Sequence, residues 1–191
     1  MICQSISKCR SVASIFLSLC IFTWVTMAAD TAESAEKGVK IGAVPEVVSL
    51  EKDEGGRVDG SGWSSSELTG KVHILFYVDP DKKKSNEGLE KALKKEEFPA
   101  EKFQSTAIIN MAATWLPNVA IASSLSSKQK EFPRTVYVKD LNKKLVKNWA
   151  MADDEYNVVL FNRSGEALFY KTGELTEEEI AQLISAIKAN L

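Results

Sequence analysis

Seven consecutive residues, Asp79-Pro80-Asp81-Lys82-Lys83-Lys84-Ser85, place two carboxylates, three ammonium groups and a hydroxyl directly after the apolar run Val72 to Val78. Acids and amines this close can exchange protons, hold a charged ligand or grip a partner. Ligands of open α/β sheets bind at the carboxyl ends of strands, and the free amides of a helix start favour anions. Three lysines there oppose the helix dipole unless an anion or the neighbouring aspartates compensate. A solvated charged loop is the plainer reading of the same residues. A second charged run, Asp153-Asp154-Glu155-Tyr156, could join Asp79 and Asp81 as oxygen ligands of a hard cation. It lacks the spacing of a Ca²⁺ loop, so no metal is expected. His73 is the only histidine; inside an apolar strand it is expected to be a hydrogen-bonded structural imidazole. No glycine-rich phosphate loop, HExxH or supported carboxylate pair is present, and no cofactor is expected.

The cysteines narrow the chemistry further. All three, Cys3, Cys9 and Cys20, lie in the opening segment MICQSISKCRSVASIFLSLCIFTWVTMAAD. Lys8 and Arg10 form a basic n-region there, Val12 to Val25 an apolar h-region, and Thr26-Met27-Ala28 a small-x-small cleavage pattern, so residues 1–28 read as a secretory signal peptide cut after Ala28. The apolar run is shorter than the roughly 20 residues of a membrane span. A lipoprotein alternative would anchor Cys20, although Leu19 before it is not small. Cleavage after Ala28 leaves 163 of the 191 residues, and loss of two basic residues takes the net charge from −2 to −4. The expected product is a thiol-free protein of the Gram-negative periplasm with no further membrane span, and its acidity disfavours nucleic acid. Disulfides, thiolate nucleophiles and thiol-ligated metals are all excluded from such a product.

Elements must position the charged runs. Residues 29–43 read as a flexible leader and residues 44–191 as one domain. PEVVSL offers a short strand and DEGGRVDGSG turn chemistry. Ser64 to Glu67 fits a capping box, after which Val72 to Val78 reads as a central strand covered on both faces. Asp81 or Ser85 is positioned to cap a helix carrying Leu89, Ala92, Leu93 and Phe98 on one face, ended by Pro99. Strand STAIIN follows, ending at Asn110, and then a helix over Val119 to Lys130. Strands are expected at Arg134 to Val138 and at Leu145 to Trp149, on either side of the turn DLNKK. VVLF, NRSG and EALFYK make a hairpin, and Thr176 to Glu179 caps a last helix with Ile180, Leu183, Ile184, Ile187 and Leu191 on one stripe. The order gives a central mixed sheet flanked by helices, without repeats.

GKVHILFYV, the turn in VVLFNRSGEALFY and the ending GELTEEEIAQLISAI resemble the thioredoxin-like superfamily. A narrower resemblance is to the YtfJ-like family of bacterial periplasmic proteins. It rests on Trp63-Ser64 to Val72, on Lys82 to Asn86, on Thr106 to Asn110, on Ser123 to Leu125 and on Trp149 to Glu179. The resemblance implies a thioredoxin-like three-layer α/β/α sandwich. It also places the usual CxxC loop near Lys82 to Ser85, and the usual proline of the terminal hairpin where Asp154-Glu155-Tyr156-Asn157 precede Val158. Both halves of a redox site are replaced, which excludes thiol-disulfide exchange and thiol peroxidase chemistry there.

The leading expectation is therefore a non-catalytic binding or accessory protein. Its candidate site takes Asp79, Asp81, Lys82 and Ser85, with Asn110, Asp153, Asp154 and Tyr156. Trp115, in ATWLPN, is the tryptophan expected to be exposed and able to anchor a partner. Candidate partners are a periplasmic protein or a small anion. The alternatives are a cysteine-independent enzyme working from the Asp79 to Ser85 loop, and a lipid-anchored accessory protein.

Overall fold

The computed structural model of the chain describes residues 38–191. The expected signal peptide and cleavage point, the three cysteines and most of the expected leader lie outside the described residues. The leader's last residues are packed: Val39 joins the core, and Gly42 and Ala43 exchange backbone hydrogen bonds with Ala167.

The strands are β1 (Ser49–Leu50), β2 (Gly55–Arg57), β3 (Trp63–Ser64), β4 (Val72–Val78), β5 (Phe103–Asn110), β6 (Thr135–Asp140), β7 (Tyr156–Phe161) and β8 (Ala167–Thr172). The helices are α1 (Glu87–Glu96), α2 (Asn118–Glu131), α3 (Lys144–Trp149) and α4 (Glu177–Asn190). Six strands form a mixed sheet in the order β2-β6-β5-β4-β7-β8, while β1 and β3 pair separately. β4 runs parallel to β5 and β5 to β6; β7, β8 and β2 pair antiparallel. At the edge strand, Gly55 has φ +131°, and a Cβ there would collide with the carbonyl of Lys139; only glycine lets β2 approach so closely.

Side chains alternate along β4, and every residue from Val72 to Val78 is buried. Val72, Ile74, Phe76 and Val78 meet Leu89 of α1 and Leu183, Ile184 and Ile187 of α4. Leu75 and Tyr77 point to the other face, against Leu145 and Trp149 of α3 and against Leu50, Trp63 and Leu68. Each such aliphatic contributes about 1.5–3 kcal/mol when fully buried. Both expected capping boxes form, Ser64 with Glu67 and Thr176 with Glu179.

Two expectations are corrected. Leu145 to Trp149 is helix, not strand. The buried Asp140 carboxylate accepts the backbone N–H groups of Asn142, Lys144 and Leu145, which turns the chain at Lys143 (φ +55°) into α3. Neither Asp81 nor Ser85 caps α1. The helix starts after Asn86, whose buried amide ties α1 to the β8–α4 loop by donating to the Gly173 carbonyl and accepting from Leu175 N–H.

Candidate functional site

The site is built at the carboxyl ends of the parallel strands, on the sheet face that α3 covers. Asp79 directly follows β4, is 4% exposed, and accepts the Asp81 N–H at 2.8 Å, opening a 3-10 turn over Pro80–Lys82. Its own N–H donates to the Glu155 carbonyl at 3.1 Å. This bond joins the loop after β4 to the approach of β7, where the resemblance to redox proteins puts a proline.

Asn110 ends β5 with its side chain fully buried, and its Nδ2 donates to Asp153 Oδ1 at 2.8 Å. Lys143 donates to the other Asp153 oxygen at 2.5 Å. Hydrogen bonding to Asp153 raises the Lys143 pKa, helped by the charges of Asp153, Asp154 and Asp79 and opposed by burial. Burial raises the Asp79 carboxyl pKa, with Asp81 and Asp154 adding to it; the bond from the Asp81 amide and the charge of Lys82 pull the other way.

The expected Asp79, Asp81, Lys82, Asn110, Asp153 and Asp154 thus lie within one electrostatic neighbourhood. Backbone strain gathers there as well: Lys143, Ala150 and Asp154 have φ of +55°, +50° and +29°. Beneath the cluster, Tyr77 donates to Asp140 Oδ2 at 3.2 Å, and burial followed by the Asp140 charge pushes its phenol far up.

Two other expected members, Tyr156 and Trp115, lie elsewhere, while Ser85 remains on the loop that Asp79 opens. Tyr156 leaves the sheet on the opposite face, where its ring packs on Phe76 at 5.9 Å and its hydroxyl donates to Glu90 at 3.3 Å. Tyr156 pairs with Val78 and shares its face, and the left-handed turn at Asp154 (φ +29°) reorients the chain before β7 begins, so nearness to Asp154 in sequence did not bring it to the site. Ser85 is half-buried and its N–H donates to the Lys82 carbonyl. Trp115 lies on the β5–α2 loop, 86% exposed, and Val119, 81% exposed, lies in the first turn of α2.

Lys143, Asp140 and Tyr77 were not among the expected residues. DLNKK reads as a hairpin turn, and only the pairing of Asp140 with the α3 amides makes Lys143 point at Asp153. Among the described residues, no group of three or more His, Cys, Asp or Glu side chains is arranged to hold a metal ion. None of their helices is long and apolar enough to cross a membrane.

Residues 23–190 match the family model described as "Bacterial protein of unknown function (YtfJ_HI0045)". The uncharacterized protein YtfJ of Escherichia coli strain K12 is 28% identical over 130 residues, 66% of this chain and 70% of that protein. Among solved structures, a Bacteroides thetaiotaomicron protein provisionally described as a protein disulfide isomerase superposes with TM-score 0.60 at 20% identity, covering 81% of this chain and 93% of its own. A thiol-disulfide isomerase from Corynebacterium glutamicum gives 0.53 at 17% identity, covering 72% and 94%. The fold is thioredoxin-like.

Proposed function

Because the chain belongs to the bacterial YtfJ_HI0045 family and folds like a thioredoxin, we propose that it uses this scaffold, exported to the periplasm, as a thiol-free binding protein. One observation carries the reading. At the carboxyl ends of β4 and β5, where the resemblance to redox proteins places their thiol loop, Asn110, Asp153 and Lys143 are joined by hydrogen bonds with the charge of Asp79 nearby, and no cysteine follows Cys20. A buried amide held by a carboxylate that is itself held by an ammonium group is preorganised for recognition. Thiol exchange needs a thiolate, and a chain beginning at Ala29 has none. The partner is a periplasmic protein or a small anion that meets the Lys82–Lys84 edge of the loop.

A cysteine-independent enzyme is the second reading, favoured by the raised pKa of the buried Asp79. It is second because one Asp79 oxygen already accepts the Asp81 amide and the lysines of the loop are exposed.

Intact-mass measurement of the exported form, paired with an insulin disulfide-reduction assay, tests the proposal. A mass beginning at Ala29 and no reduction above buffer are expected. A retained, lipidated Cys20, or reduction of insulin, would contradict it.

A further inference from the structure

α1 and α4 lie side by side on the sheet face opposite α3, and each sends one stripe into the core, Leu89 from α1 and Leu183, Ile184 and Ile187 from α4. A Cβ on Gly88 would rest 3.5 Å from Ile180 Cδ1, and further along Glu96 pairs with Lys188 at 2.7 Å. Both contacts keep one offset, 88 to 180 and 96 to 188, so the two helices run parallel. Between them is a groove of about 480 Å³ whose apolar lining is Ala92, Ile180, Ala181 and Ile184. Ala181 and Ser185 are exposed along it, so the groove opens to solvent.

The charges along the groove are not evenly spread. Where the helices begin, the α4 wall carries Glu177; where they end, the walls carry Lys95, Glu96 and Lys188. Glu96 and Lys188 satisfy each other across the groove. Glu177 and Lys95 are exposed, and neither has an ion-pair partner among the described residues. The parallel alignment sets Lys95 level with Ile187, about ten residues or roughly 15 Å further along the groove than Glu177. One free acid and one free base thus stand at opposite ends and on opposite walls.

We infer that this groove docks a second copy of the same chain across a two-fold axis that passes through it near Ala181 and Ile184. The charge layout selects that occupant. A two-fold axis along the groove's normal lays α4 of one copy over α1 of the other, running the opposite way, and brings Glu177 of each copy onto Lys95 of its partner. Such an isologous contact makes the pairing twice, and antiparallel helices set opposed dipoles side by side. Helices of 10 and 14 residues, each about 10 Å wide, give a footprint of roughly 400 Å² per copy. That is about half the 800 Å² per partner of a standard interface, so the dimer is weak, with Kd on the order of 100 μM. Gln182 stands about 140° round α4 from Glu177, outside the groove. The cluster of Asn110 and Asp153 lies on the α3 side of the sheet, so it stays open in both copies.

Sedimentation equilibrium of the whole protein, from about 10 μM to about 1 mM, tests the inference. A monomer–dimer equilibrium is expected, and it should weaken as salt screens the ion pairs. Lys95→Glu and Glu177→Lys should each weaken it at least about fivefold, because each sets like charges together twice. The two changes combined should restore it, which a loss of fold could not imitate. Ala181→Arg, at the axis, should leave monomer only. A protein that stays monomeric up to about 1 mM would overturn the inference. So would a dimer indifferent to the single changes, or one that the double change leaves broken, because the copies would then meet elsewhere. A monomer whose Ile180 and Ile184 methyl resonances broaden only on adding phosphatidylglycerol vesicles would give the groove to a lipid surface, and would overturn it too.

Discussion

Asn110 Nδ2 donates to Asp153 Oδ1 at 2.8 Å across 43 residues of sequence, tying the end of β5 to the approach of β7. The two groups share a face at the carboxyl end of the sheet, and Lys143 closes the other side of Asp153. Replacing Asn110 by Asp sets a second carboxylate against the first in a fully buried position. The Asn110→Asp variant is expected to lose at least about 2 kcal/mol near neutral pH and to regain part of it in acid. Urea midpoints at the two pH values check this, and an unchanged midpoint at neutral pH contradicts it.

Asp79 gives a pH dependence of defined sign. Burial, with Asp81 and Asp154, raises its pKa above the ordinary carboxylate value. The folded state therefore binds this proton more tightly than the unfolded chain does. Stability falls as pH rises from the unfolded value, about 3.9, through the folded one. Asp79→Asn keeps an acceptor for the Asp81 amide and removes the charge. The variant should be more stable than the parent near pH 7, and the difference should vanish below the unfolded value. Denaturant titrations at both ends of that window decide it; a variant less stable near pH 7 contradicts the account.

Asp140 holds α3 in place through Tyr77, Lys144 and Leu145. Asp140→Ala leaves these donors unpaired and is expected to cost about 3 kcal/mol. Hydrogen exchange should show protection lost first at the amides of Lys144 and Leu145. Protection retained there would mean that α3 stands without its cap.

The tryptophans separate stability from surface. Trp149 is buried, and its Nε1 donates to the Glu46 carbonyl at 2.7 Å. Trp149→Ala is expected to cost about 3–5 kcal/mol, whereas Trp115→Ala should change stability by less than about 0.5 kcal/mol. Thermal melts of the pair test the contrast, and a large loss for Trp115→Ala would show that its ring is packed.

Legibility in the sequence followed the range of the interactions. β4 was readable because an unbroken apolar run after a capping box has few other meanings, and α4 because its cap and stripe agree. α3 was not, because Leu145 and Trp149 lie four apart within six residues, a window too short to separate helix from strand by period. What decides it is Asp140, whose carboxylate captures the α3 amides from outside that window. Asn110 and Asp153 were readable as polar residues at strand ends. Lys143 was not, because its aim depends on a left-handed turn. The position of Tyr156 was not readable either, because the left-handed turn at Asp154 reorients the chain before β7 and pairing with Val78 sets the ring on the α1 and α4 side.

The central claim is that the carboxyl ends of β4 and β5 form a recognition surface in place of a thiol site. A photoreactive residue at Ser85, compared in living cells with one at the exposed Gln182 of α4, tests it most directly. One defined periplasmic adduct is expected from Ser85, absent from the Gln182 control and much reduced when Asp153→Asn removes the charge that holds Lys143. Adducts of equal yield from both positions, or a Ser85 adduct indifferent to Asp153→Asn, would contradict the claim.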